Sequence, residues 1–147
     1  MTAIELLKKD HREAMGLIEE LQNGNSDSQL RGQPLERFGQ LKAALSLHTI
    51  FEEQIFYHSF ANLKGTEDLI KDAYAEHRKV DSLLVKLCQP TNDWHAQLGK
   101  LKAELQHHID QEENELFPKA ERLLGQKQLN EMGRQIQNVK QGKAVTA

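Results

Sequence analysis

The 147-residue chain has one cysteine, Cys88, three prolines and only 5% aromatic residues. A single thiol excludes an internal disulfide, a Cys-x-x-Cys zinc knuckle and a Cys-x-x-Cys-His haem attachment. Cys88 is therefore expected to be a small buried apolar residue without a chemical role. No apolar run approaches the roughly 20 residues that span a bilayer. The start, MTAIELLKKD, lacks the basic-then-apolar layout of a secretory signal. Positive charge is not in surplus either: 19 Lys and Arg stand against 22 Asp and Glu, with no clustered basic face of the kind nucleic acid requires. These absences predict a cytoplasmic protein with neither nucleic acid nor membrane as partner, and they leave its oligomeric state open. The length suits one domain with a real core.

What the chain does have is helical periodicity, broken at a few places. Asn23 to Gln33 reads as a polar loop ending at Pro34, a good first-turn residue. Asn62 to Gly65 reads as a second break, with Thr66 as N-cap, and Gln89 to Asn92, around Pro90, as a third. Gly125 should stop the fourth helix. Beyond it Leu129, Met132, Ile136 and Val139 suggest a short fifth helix, after which GKAVTA should fray. The expected fold is all-α: an up-down-up-down four-helix bundle over residues 1–125, followed by a short C-terminal helix and tail over 126–147.

Each helix carries polar residues on its apolar stripe. The stripes read Ile4, Leu7, His11, Ala14, Ile18, Leu21; then Phe38, Leu41, Leu45, His48, Glu52, Ile55, Ser59; then Ile70, Ala73, His77, Val80, Leu84, Leu87; and finally Trp94, Leu98, Leu101, Leu105, His108, Glu112. Counted from the loops, the four histidines lie at similar heights when each residue advances a helix by about 1.5 Å. An unpaired buried carboxylate costs several kcal/mol or takes up a proton, so two core glutamates among four core histidines call for cations between them. The chain also repeats itself: KKDHREAMGLIEEL resembles YAEHRKVDSLLVKL, and HTIFEEQIFY resembles HIDQEENELF. A duplicated hairpin of this kind would build a site with two similar metal positions.

Imidazole and carboxylate without thiolate suit iron or manganese, with zinc possible. Six side chains, two of them bridging, supply about eight of the twelve bonds that two six-coordinate ions want, which leaves positions for a small ligand. Among the remaining residues, His58 and His95 read as solvated, and Glu53 and Glu113 as surface or rim acids. His107 is the one alternative ligand, and with Glu104 it makes a single ferritin-type Glu-x-x-His where a ferritin-like site needs two. Tyr74 reads as a core aromatic or a donor beside the site. Asp81 either orders a ligand or fills a coordination position. Phe51, Phe56 and Phe117 are expected to wall the site and keep it dry.

At Asp10-His11, His48-x-x-x-Glu52-Glu53, Glu76-His77 and His108-x-x-x-Glu112-Glu113 the chain resembles the hemerythrin-like, HHE cation-binding family of non-haem di-iron four-helix bundles. The resemblance spans about Ile4 to Leu124. It implies two iron ions, oxo- or hydroxo-bridged, with His11, His48, His77 and His108 as terminal ligands and Glu52 and Glu112 as bridging carboxylates. It departs from the oxygen carriers of the family, which place a second histidine four residues from the first on the third helix; here those positions hold Ala73 and Asp81. The implied function is binding of dioxygen, nitric oxide or peroxide for sensing, scavenging or iron and redox homeostasis. A di-iron oxidoreductase acting on nitric oxide or peroxide and a reversible oxygen carrier are the alternatives.

Overall fold

A computed structural model of the chain describes residues 1–23, 32–60, 63–89 and 91–142. Most of the first expected loop, Asn62, Pro90 and nearly all of the frayed tail fall outside the described residues. Every regular element among the described residues is helical: α1 (Ala3–Asn23), α2 (Gly32–Ile50), a π turn at Phe51–Phe56, α3 (Tyr57–Phe60), α4 (Glu67–Leu87), α5 (Trp94–Gln111), a second π turn at Glu112–Leu116, and α6 (Phe117–Lys140). None of these helices is long and apolar enough to cross a membrane.

The stripes fold as the apolar spacing dictates. α1 buries Ile4, Leu7, His11, Ala14, Ile18 and Leu21, and α4 buries Ile70, Ala73, His77, Val80, Leu84 and Leu87. α4 starts at N-cap Thr66 with Glu67 and Asp68 in its first turn, where acids favour the positive end of the helix dipole. The Thr66 hydroxyl does not cap that turn; it donates to the carbonyls of Phe60 and Leu63 at 2.9 and 2.7 Å. Pro118 sits at the start of α6, where a missing N–H costs least. Gly125, with φ 79°, departs from helical geometry inside α6.

The two π turns change which face is buried. The Tyr57 N–H reaches the Glu52 carbonyl and the Phe117 N–H reaches that of Glu112, five residues back instead of four. One extra residue per turn rotates everything after it by roughly 100°. Ile55 and Ser59, expected inside from the α period, are only half-buried, while Phe56, Tyr57 and Phe60 are fully buried. Cys88 also departs from expectation: it is exposed, because the buried stripe ends at Leu87, and it accepts a contact from Lys42 Nζ at 3.6 Å.

The apolar core is split in two. One cluster gathers Leu7, Phe56, Phe60, Phe117 and Ile136; the other gathers Ile18, Leu41, Leu84 and Leu101. Between them along the helices lie His11, His48, Glu52, His77, His108 and Glu112, none more than 5% exposed. α6 closes one end, packed on α1, α3 and the first π turn. Gly133 is held so close to the chain start that a Cβ there would lie 2.2 Å from the Met1 carbonyl oxygen.

Candidate metal centre

Glu52 lies at the middle of the polar layer and is fully buried. All four histidines turn Nε2 toward it: His77 at 2.9 Å, His48 at 3.2 Å, His108 at 3.4 Å and His11 at 3.9 Å. Glu112 faces it across the layer, 3.0 Å from His11 Nε2 and 3.1 Å from His108 Nε2. The nearest ligand-type atoms of His11, Glu52, His108 and Glu112 all fall within 4.8 Å of one another. The Tyr57 hydroxyl donates to both carboxylates, at 3.1 Å to Glu52 and in a very short bond to Glu112.

Each histidine is gripped from behind by a second carboxylate on Nδ1. Glu113 holds His11 at 2.7 Å, Asp10 holds His48 at 3.1 Å, Glu53 holds His77 at 2.6 Å and Glu76 holds His108 at 2.7 Å. Such pairs fix the tautomer and ring orientation, leaving Nε2 as the inward-facing donor atom. The pattern obeys the sequence repeat. The acid before His11 grips His48, and the acid before His77 grips His108; the acids after Glu112 and Glu52 grip His11 and His77. The ring geometry repeats too, with His11–His48 and His77–His108 centroids both 4.8 Å apart at 64° and 63°. The symmetry breaks where Phe117 stacks on His11 while Tyr57, its counterpart 60 residues earlier, stacks on His77.

Charge follows the geometry. Burial alone would lower the histidine pKa values, but bonds from Glu112, Glu113 and Glu52 raise that of His11 well above its usual value. Burial likewise opposes, and Glu112 and Glu52 overcome, a shift that carries His108 up to about 12. Burial would raise the Glu52 pKa, yet the charge on His48, with the imidazoles of His108 and His11 beside it, holds it well below the usual range. Burial, then the charges of Glu52 and Glu112, push the Tyr57 phenol well above its ordinary pKa, so it stays a donor. Without a cation, then, protons on Nε2 balance the inner carboxylates. Even so, His48 Nε2 and Glu52 Oε2 are buried with no hydrogen-bond partner. An acceptor oxygen and an imidazole nitrogen left so close together fit a cation between them, which satisfies both at once.

All six residues expected on the seam converge, and of the two neighbouring acids Glu112 is the inner one; Glu113 lies on the rim, 31% exposed. Glu53 and Glu113 are rim acids with a task, since each orients a histidine. The other candidates stay outside. Asp81 and His58 are exposed, and His95 lies edge-on to Trp94. His107 is 68% exposed and touches the outer carboxylate of Glu76 at 3.3 Å. Tyr74 is a half-buried aromatic packed edge-on against Tyr57. Phe117 covers His11, and Phe56 packs behind Phe117 and Tyr57.

Sequence reasoning missed Tyr57 and the role of the four outer acids. Each acid sits one residue, or about 100°, from a seam residue, which aims it at the neighbouring helix; its recurrence in both halves was the available signal. Tyr57 lies five residues from Glu52, off an α stripe and on a π one. Tyr57→Phe keeps the ring on His77 and removes the one hydroxyl donor that the two carboxylates share. It is expected to cost the metal-free protein about 1–3 kcal/mol and the metal-loaded protein less, because cations take over the carboxylates. Urea unfolding with and without chelator tests this; an equal loss in both states would show that the carboxylate bonds are not what the hydroxyl contributes.

The family description Hemerythrin HHE cation binding domain matches residues 2–120. Searches of curated proteins and of solved structures return no match.

Proposed function

The chain belongs to the hemerythrin HHE cation-binding family, and from that premise we propose that it is a non-haem di-iron protein that coordinates dioxygen, nitric oxide or peroxide for sensing, scavenging or iron and redox homeostasis. His11, His48, His77 and His108 would hold the two ions as terminal ligands, and Glu52 and Glu112 would be the carboxylates shared between them. The observation that carries this is the inward aim of four Nε2 atoms on two buried carboxylates, each imidazole held from behind by an outer acid. Residues 1–125 form the metal-binding domain as an up-down-up-down bundle, with 126–147 as a short fifth helix and tail, in the cytoplasm.

Bound iron supplies open coordination positions and one-electron redox change. This chain's residues supply the rest. The histidines and their outer acids hold the donor atoms in place, Phe56 and Phe117 exclude water, and Tyr57 keeps a proton between Glu52 and Glu112. That proton favours a second reading, reduction of nitric oxide or peroxide given an electron donor. Steady-state turnover with each substrate separates catalysis from binding.

Where the family's oxygen carriers place a further imidazole, this chain has buried Ala73 and exposed Asp81. With fewer nitrogen ligands, more positions are open to water and protons. Reduced protein is therefore expected to oxidise irreversibly in air, whereas nitric oxide should give a lasting spectral change. Repeated degassing that restores the original spectrum without loss would favour the oxygen-carrier alternative instead.

A further inference from the structure

The C-terminal part of α6 lies beyond the residues the family description matches, yet it reaches back to the centre. Lys140, the last residue of α6, places Nζ 2.7 Å from Asp10 Oδ1, and the other oxygen of the same carboxylate holds His48 Nδ1 at 3.1 Å. The Lys140 ammonium also lies over the Phe51 ring, 5.7 Å from its centroid. Packing puts it there: Met132 and Ile136 are buried, and Gly133 is pressed against the backbone of Met1 to Ala3.

The equivalent point in the other half is built differently. Among the described residues Glu76, which holds His108 as Asp10 holds His48, forms no ion pair with a lysine and meets the surface imidazole of His107 at 3.3 Å. The pairing of each imidazole with an outer acid thus repeats in the two halves, while the contact beyond Asp10 and beyond Glu76 does not. Beside Asp10 lies a pocket of about 230 Å3 lined by Asp10, Leu45, Leu47, His48, Phe51 and Lys140.

We propose that Lys140 is a positioning residue for the His48 end of the centre and gives that metal position a support the His108 end lacks. One ammonium pins Asp10 Oδ1; the carboxylate can then offer Oδ2 to His48 in a single orientation, and Nε2 stays aimed inward. Without it Asp10 is free to turn to solvent, and the His48 ring into the pocket. The proposal rests on the reading that the centre holds two metal ions.

The test uses full-length protein as wild type, Lys140→Met, Lys140→Arg and, as a control in the same helix, Arg134→Met. Release of iron from the loaded protein to a coloured chelator is followed with time, and ring signals of the histidines are followed by NMR in the metal-free protein. Lys140→Met should release one of the two ions about tenfold faster and leave the other unchanged, the lower end of what loss of an outer partner costs. Lys140→Arg should restore most of the difference, Arg134→Met should match wild type, and the His48 ring signals should shift with those of His108 fixed. Equal acceleration of both ions, or no acceleration, would overturn the proposal. Should the wild type take up no iron, the di-iron reading fails, and the metal-free His48 signals alone decide the role of Lys140.

Discussion

A Glu52→Ala variant is expected to retain one metal ion per chain or fewer, against about two in the wild type. The carboxylate of Glu52 is approached by Nε2 of all four seam histidines, and no other residue in the layer is. On the proposed di-iron reading, removing it would take away one of two bridging carboxylates and leave Glu112 as the one carboxylate on the Nε2 side of the four imidazoles. Glu112→Ala and His48→Ala should likewise lose at least one ion. Glu53→Ala and Glu113→Ala remove outer partners and should weaken affinity by about 10–100-fold with the stoichiometry intact at high metal. His58→Ala and His95→Ala should keep both ions. Elemental analysis of the purified variants checks the series; a fully loaded Glu112→Ala beside an empty Glu113→Ala would exchange the roles of those two acids.

Stripping the metal should lower the melting temperature, and by more at pH 8 than at pH 6. Binding to the folded state alone contributes about 2.7 kcal/mol at a hundredfold excess over Kd, roughly 5–10 °C for a chain of this size. The metal-free protein has its own pH dependence. Its histidine pKa values are raised in the folded state, so their contribution is complete below the unfolded value of about 6.5 and fades as pH climbs toward the folded one. Glu52 is depressed, so its contribution is complete above an unfolded value near 4.5 and is lost as pH falls. The stripped protein should therefore be most stable between those two values and weaken from pH 6 to 8. Metal ligands must shed protons to bind, so loaded protein gains over the same range. A gap in melting temperature that stays constant from pH 6 to 8, or no gap after verified metal loss, would refute the coupling.

The six seam residues were legible because burial and α periodicity act together: a histidine or glutamate spaced among leucines has to be inside, and inside it needs a partner. The stripes of α1 and α4 follow that rule residue by residue, and that of α5 from Leu98 to His108. It fails just beyond Glu52, where Ile55 and Ser59 were expected inside and Tyr57 and Phe60 are, because no local propensity announces a hydrogen bond that skips five residues instead of four. The outer acids escaped for a different reason. Glu53, Glu76, Glu113 and Asp10 act across helix boundaries, so their partners depend on which helices become neighbours. Cys88 was misplaced by one position: an apolar type one residue past Leu87 faces water, whatever its preference.

The π turns also set the two halves of the repeat apart chemically. In each, the bond that skips five residues runs from the carbonyl of the glutamate in a His-x-x-x-Glu to the N–H of the residue whose ring stacks on a seam histidine. The same backbone detail therefore delivers a ring to the polar layer twice. At 57 that ring carries a hydroxyl that bonds both inner carboxylates, and at 117 it carries none. One half of a repeated backbone is wired to the layer through a proton, the other through ring contact alone.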